Sequence, residues 1–548
     1  MDNKMIKGAK IATIGLFVTK ILGILYVIPM NALLSTEAMG IYGISYVQYA
    51  FFIQITLVGF PVGVSKIVAK YRAEHNFTMV NKTFKYSVVL VSIFGIVAFL
   101  IMFFGADTIV KFMRVGVYNP KDVAITLKLL APSLLVIPVL AISRGYTQGY
   151  EDMLPSSISM VVEQFIRILF IIIGLVFVIK VFKADDIYAI YIATIASFFS
   201  AFFGYLILTP SFKRYFSFAK RNSSKKDYKI SFKNLIRVVA IVSVPFIVLS
   251  TYKGLFEYID SVTINRILDP FAVSKTYIKQ IISIYSVQIQ KLVILTLTIA
   301  SGFTLSMIPS LSALHSSRNY GELKKRITQI TLLAFFIICY VSLFVAIFAD
   351  ETYFVFFFSG YKEIGGQILS LSIISSIFYA TYNVIGVTLL TLNHIKVVII
   401  SFIAGIISKL IFTYIFAYIF SKTGQEPALI FAASSFVAYV ISFYIVLKHC
   451  ISVNLINVTK LIRVVFKIAI SSILLIITTK ILSLLLPAIN DGDSGFKTYL
   501  INIAVLISSG IITLFVYLFS AQKMNYLRYL SGKTFKELLL MVKNRATR

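Results

Sequence analysis

The stretch AISRGYTQGYEDMLPSSISMVVEQFIRILFIII, Ala141 to Ile173, decides the class of fold. Its second half is an apolar helix carrying Glu163 and Arg167, four residues apart and so on one helical face. Apolar sequence continues past both, which places them within a membrane-length segment rather than at its edge. An ionisable pair in hydrocarbon is expensive and by default turns toward a protein interior or a watery cavity. A self-neutralising structural pair and a transport pathway both meet that condition, and the rest of the chain has to decide between them.

The surrounding composition is that of a lipid-solvated chain. Of its 548 residues 59% are hydrophobic, and the mean hydropathy is +0.90, whereas a soluble chain is roughly 45–50% apolar. The formal net charge of +30 does not point to nucleic acid, because the basic residues sit in short loops between apolar segments. There Lys and Arg mark the cytoplasmic side. Cys339 and Cys450 form no disulfide or metal-binding pattern, and His75, His315, His394 and His449 are scattered at predicted helix ends without HExxH spacing. No metal site and no cofactor are expected. Lys4, Lys7 and Lys10 precede an apolar run too long for a cleaved signal, which reads as the first retained helix.

About fourteen apolar segments reach spanning length, near residues 9–33, 41–69, 86–105, 123–143, 157–180, 187–209, 235–262, 281–311, 327–349, 365–391, 397–420, 427–447, 464–487 and 498–520. The fold class is an all-α polytopic membrane protein. Threading the segments from a cytoplasmic N-terminus gathers most Lys and Arg into inner loops, with both termini cytoplasmic, as expected in a plasma membrane. Residues 1–210 read as an N-terminal lobe of six helices and 211–234 as a basic cytoplasmic linker. Residues 235–450 read as a C-terminal lobe of six helices. Residues 451–521 hold two further helices that extend a lipid-facing groove, and 522–548 form a basic tail. That tail is amphipathic at Tyr526, Leu527, Tyr529, Leu530, Phe535, Leu538 and Leu539, a pattern that lies on an anionic leaflet.

An internal repeat supports the two halves. GFPVGVSKIVAKYRAEHNF ends the second segment and GFTLSMIPSLSALHSSRNYGELKKR the eighth, each with a proline, Pro61 or Pro309, ahead of a basic loop. Pro29 and Pro245 fall likewise in the first and seventh. Proline within a spanning helix kinks it and frees a carbonyl. Paired interrupted helices in two halves indicate a transporter.

Further charges lie at membrane depth: Lys20, Lys253, Glu257, Asp260, Lys291 and Lys409. A central Lys costs about 2.5–3.5 kcal/mol even on the gentler insertion scale. Lys253 and Glu257 are one turn apart and partly neutralise each other. Snorkelling accounts equally well for Lys66 and Arg144, nearer inner ends; Asp260, near an outer end, is either simply solvated or joins Glu163 and Glu257 as an acidic, coupling residue of the cavity. The interior set of Lys20, Arg167, Lys253, Lys291 and Lys409 against Glu163 and Glu257 carries a cationic surplus, which favours an anionic guest bearing phosphate or carboxylate.

With these residues in view, the chain resembles the multidrug/oligosaccharidyl-lipid/polysaccharide exporter superfamily. Within it, the chain is similar to the Gram-positive branch of the lipid II flippase family MurJ, the group containing YtgP and SpoVB. The resemblance runs along essentially the whole length. It is carried by Thr19-Lys20-Ile21-Leu22-Gly23, Gly59-Phe60-Pro61, Ser65-Lys66, Lys70-Tyr71, Arg144-Gly145, Gln148-Gly149, Val162-Glu163-Gln164, Arg167, Tyr258-Ile259-Asp260, Gln290-Lys291-Leu292 and Met307-Ile308-Pro309. It implies fourteen helices in two pseudo-symmetric lobes around a central cavity, working by alternating access. It also implies movement of undecaprenyl-pyrophosphate-linked peptidoglycan precursor from the inner to the outer leaflet.

Lys20 and Lys291 stand where the family's cavity cations stand, as Lys where many Gram-negative members have Arg. The sodium site of some members needs carboxylates in helices seven and eleven. Asp260 supplies one, but helix eleven has Lys409 instead, so sodium coupling is not expected. The expected partners are the lipid-linked precursor, membrane lipids and other cell-wall synthesis proteins, with a monomer as the transporting unit. A flippase for another polyprenyl-linked glycan (capsule, teichoic or sporulation-related) remains open. A cation-coupled drug antiporter is disfavoured by Lys20, and a scaffold leaves the intramembrane charges without a purpose. An enzyme would need paired carboxylates or a histidine cluster.

Overall fold

The computed structural model describes residues 15–57, 59–224, 230–294, 296–298, 311, 314–315, 317–357, 361–485, 496–531 and 537. Among them the chain is helical throughout, with fourteen helices long and apolar enough to cross a membrane. They are α1 (Gly15–Leu33), α2 (Thr36–Ala73), α3 (Phe77–Phe104), α4 (Pro120–Gly149), α5 (Leu154–Val181), α6 (Asp186–Arg221) and α7 (Phe232–Phe271). The remainder are α8 (Lys275–Thr298), α9 (Tyr320–Ile347), α10 (Lys362–Thr391), α11 (Ile395–Thr423), α12 (Leu429–Ser452), α13 (Val458–Leu484) and α14 (Tyr499–Lys523). Each expected segment has its helix. Rows of exposed apolar side chains such as Ile93, Val97 and Leu100 of α3, or Ile400, Ile403 and Ile407 of α11, are what a lipid-facing stripe needs.

Caps and turns set the helix boundaries. Asn76, Ser231, Ser274 and Asn319 each accept a backbone N–H of the first turn that follows them. The turns His75–Asn76 and Arg318–Asn319 are built alike. Each has a left-handed residue, φ 55 in both, followed by a capping asparagine. They fall at the same offset in the two repeated sequences, sixteen residues after Gly59 and Gly302. A second correspondence follows, because the short helices Ala106–Met113 and Ala349–Phe357 both begin Ala-Asp, one after α3 and one after α9.

The chain forms two compact units, Met1–Lys291 with Ala417–Pro427, and Leu292–Phe416 with Ala428–Arg548. In the first, α5 and α6 pack side by side, and α4 packs on α2, α3 and α6. One end of this unit is an aromatic core in which Phe60, Tyr71, Phe84, Tyr146 and Tyr150 are buried. Phe212, Tyr215 and Phe216 of α6 pack against it, and Ala219 is part of it. That apolar stripe at helical spacing carries α6 through Pro210 to Arg221, so the first half of the expected linker is helix. In the second unit α10 lies between α9 and α12, and α13 packs on α9 and α14. The start of the tail folds back on this unit. Tyr526, Leu527 and Leu530 are buried, Tyr526 donates to Ser471 at 2.7 Å, and Lys460 lies over the Tyr529 ring. These side chains therefore do not face a leaflet, and Phe535, Leu538 and Leu539 lie outside the described residues.

The prolines behave unequally. The helical run of α1 is broken at Tyr26, at the edge of the turn whose carbonyls Pro29 cannot serve. In α2, Pro61 lies in the first turn of the described stretch Gly59–Ala73, and Val58 ahead of it lies outside the described residues. The α7 helix runs without a break through Pro245. Pro309 lies outside the described residues.

Candidate functional site

The charged group at membrane depth lies within the first unit and is assembled from α1, α2, α4, α5, α7 and α8. Its frame is the α4–α5 hairpin. Glu163 accepts Arg167 Nη2 on Oε1 and Arg144 Nη2 on Oε2, both at 2.8 Å. Arg144 is further held by Ser159 Oγ, at 3.1 Å from Nε and 2.9 Å from Nη2, and Ser159 donates to the Gly204 carbonyl of α6 at 2.7 Å. Arg167 makes longer contacts to Gln164 (3.2 Å) and Ser200 (3.3 Å).

Arg144 thus does not snorkel. The α4 helix continues to Gly149, so Arg144 is buried more than a turn inside it. Its role was available to a closer reading, because Arg144 and Ser159 are equidistant from the Glu151–Asp152 turn of an antiparallel hairpin.

Facing this pair are the lysines. Lys20 of α1 lies within electrostatic range of Lys291, Lys253, Arg167 and Glu163. Lys291 sits over two rings, 5.1 Å from the centroid of Tyr26 and 5.3 Å from that of Tyr46. Tyr26 and Tyr42 join through their hydroxyls at 3.4 Å, and Tyr42, Tyr46 and Tyr49 make successive ring contacts of 5.5 Å along α2. Lys253 is paired with Glu257 and also bonded to Gln290. Among the described residues no carboxylate stands at ion-pair distance from Lys20 or Lys291.

Lys291 lies two residues after a π-helical turn, Ile284–Ile289. Such a turn rotates the residues after it relative to those before, and it recurs at functional sites. No proline or glycine in IYSVQI announces it. Asp260 is buried, not solvated, and accepts the Tyr285 hydroxyl at 2.9 Å. The cause is the length of α7, which extends to Phe271 and leaves Asp260 well inside.

Lys409 belongs to the second unit. It is fully buried, and its ammonium meets the Phe431 carbonyl at 2.8 Å and the hydroxyls of Ser434 and Ser435 at 2.9 Å each. Three acceptors match the three donors of an ammonium. Both serines also bond the Phe431 carbonyl, so they keep partners if the lysine goes. Lys409→Met is therefore expected to retain the fold and to change transport less than twofold or so. Loss of transport in a well-folded Lys409→Met protein, read by complementation, would show that the charge acts directly.

Three of the four histidines are not scattered. His449 Nε2 lies 3.1 Å from His394 Nδ1, and His315 is within electrostatic range of His394. Burial first, then His449 and His315, hold His394 below its ordinary value of 6.5. A lowered folded value means that its contribution to stability is complete above pH 6.5 and is lost as pH falls below it. The melting temperature is expected to drop between about pH 7.5 and about pH 5.5, and to drop less in His394→Gln. Identical pH profiles for the two proteins would refute the assignment.

Five cations (Lys20, Arg144, Arg167, Lys253, Lys291) thus stand with three carboxylates (Glu163, Glu257, Asp260) in one unit, a cationic surplus. Such a set attracts anions. Comparison with known proteins agrees with a transporter. The lipid II flippase MurJ of Bacillus subtilis (strain 168) is 26% identical over 82% of this chain and 83% of its own length. A solved structure of lipid II flippase MurJ in an inward closed conformation superposes with TM-score 0.64 at 17% identity, over 92% of this chain and 98% of that one. An inward-facing multidrug resistance MATE family transporter of the MOP superfamily gives TM-score 0.61 at 15% identity, over 83% and 96%. The family described as polysaccharide biosynthesis protein matches residues 5–315, the stretch that holds every member of the cationic cluster, and this MurJ-type membrane protein belongs to it.

Proposed function

We propose that the protein is a flippase that carries undecaprenyl-pyrophosphate-linked peptidoglycan precursor from the inner to the outer leaflet of a bacterial plasma membrane, by alternating access. The observation that carries this reading is the pair of lysines, Lys20 and Lys291, without carboxylate partners among the described residues and beside Arg167. A pyrophosphate diester brings the negative charge such a group lacks, and Arg167 supplies a fork that matches phosphate oxygens. The similarity to a flippase across more than four-fifths of both chains supports the same substrate class.

Charge favours phosphate over an organic cation, because low dielectric sharpens the preference of a cationic site. The chain has no Walker A sequence, so the driving force is an ion gradient, the membrane potential or removal of product. Moving one elementary charge across 100 mV is worth about 2.3 kcal/mol.

The test is to deplete the lipid II flippase of a host bacterium and supply this chain in its place. Survival, with lipid II appearing at the outer surface, is the expected result. Lysis despite correct insertion would mean another polyprenyl-linked glycan, and rescue of capsule or teichoic acid export would then identify it.

A further inference from the structure

The proposed function leaves open what Arg167 does, since a guanidinium already paired with Glu163 is not obviously available to an anion. The geometry around Glu163 resolves this. One carboxylate serves two arginines, and the two are held unequally. Arg144 has its guanidinium fixed from two directions, by Glu163 and by Ser159, and Ser159 is itself anchored to α6 at Gly204. Arg167 has Glu163 and two longer contacts, and it is the arginine within electrostatic range of Lys20, Tyr46 and Tyr49.

We propose that Glu163 is an exchange clasp. Arg167 leaves its Oε1 to take the phosphate oxygens of an incoming pyrophosphate, and Arg144 stays on Oε2, so that no carboxylate is left unpaired at membrane depth. This rests on the function proposed above. Arg144 is then a positioning residue that acts through Glu163 and touches no substrate. An isolated carboxylate in hydrocarbon is costly, so a single arginine on Glu163 would be pinned there. The second arginine is what makes the first exchangeable.

The same arrangement explains why the cations and carboxylates are not matched in number. Glu163 holds Arg167 in place in the empty state, which keeps it from Lys20 and Lys291, and it releases Arg167 only to a ligand whose negative charge takes over that task. The ligand class is an anion with two or more oxygens in the plane of a guanidinium fork, as a phosphate or pyrophosphate offers.

The test is a double-mutant cycle on the full-length protein in lipid nanodiscs, with farnesyl pyrophosphate as the titrated probe and thermal melts to confirm folding. Arg144→Gln alone is expected to weaken binding about tenfold, because Arg167 becomes pinned on Glu163. In a Glu163→Gln background the same Arg144→Gln change is expected to alter binding less than about twofold, because there is no carboxylate left to satisfy. An equal loss in both backgrounds overturns the clasp, since it would mean that Arg144 acts only through its field. No loss in either also overturns it. Wild-type protein that binds no farnesyl pyrophosphate overturns the proposed function and the clasp together. If the Arg144→Gln chain does not fold, a structure of the wild type with the probe bound decides. Arg167 on phosphate with Arg144 still on Glu163 upholds the clasp, and both arginines on Glu163 overturn it.

Discussion

Replacing Lys20 and Lys291 together with Ala is expected to abolish rescue of a flippase-depleted bacterium and to weaken binding of a prenyl pyrophosphate by at least about a hundredfold. The magnitude follows from the surroundings. Two unit charges about 4 Å apart attract by about 4 kcal/mol at an effective dielectric of 20, and part of this is offset by desolvating the partners. About 1.5 kcal/mol or more for each lysine is what remains, and the two losses together give the hundredfold effect. Lys291 is held by ring faces, Tyr26 and Tyr46, which orient a cation without neutralising it. Each single alanine variant is expected to lose roughly tenfold. A Lys20→Arg plus Lys291→Arg protein keeps the charge and is expected to retain activity. Full rescue by the double alanine chain, at matched expression, would remove these lysines from the site.

Much of this was legible in the sequence, for physical reasons that differ by residue. The fourteen spans follow from the need to satisfy every backbone group in hydrocarbon, which makes long apolar runs helical whatever their detailed order. Lys20, Lys291 and Arg167 stand out because charge at that depth is costly and therefore purposeful. The second partner of Glu163 was harder, since Arg144 looks terminal until the length of α4 is known. The extension of α6 was written in Phe212, Tyr215, Phe216 and Ala219 but overshadowed by the basic residues between them. Tyr42, Tyr46 and Tyr49 at helical spacing read as ordinary core, and only the ring faces under Lys291 distinguish them. The π turn before Lys291 could not be read at all, because it is a change of hydrogen-bond register with no punctuating residue. Likewise nothing in GIISKLIF tells that Ser434 and Ser435 of the next helix meet the Lys409 ammonium.

Gly145→Val is expected to be a severely damaging packing change, costing about 3 kcal/mol. A Cβ at Gly145 would lie 2.6 Å from the Pro61 carbonyl oxygen and 2.8 Å from its Cα. These are backbone atoms that cannot rotate away. Four residues on, a Cβ at Gly149 would meet Val68 at 2.6 Å and the Ser65 carbonyl at 3.0 Å. The opposite side of the same α2 stretch is pressed on α7, where a Cβ at Gly59 would lie 2.9 Å from the Ser243 carbonyl. The stretch Gly59–Ala73 is therefore gripped on two sides by close glycine contacts, the means by which helices associate where no hydrophobic effect draws them together. Valine at 145 must push α4 away from α2, and Arg144 is the adjacent residue. A displacement there loosens Arg144 from Glu163 as well as the helix pair, so stability and anion binding are expected to fall together. Gly116→Val is the control, since a Cβ there meets nothing within 4 Å. A Gly145→Val protein that melts where the wild type does would show that the two helices separate at little cost, and would release the cationic cluster from any dependence on this contact.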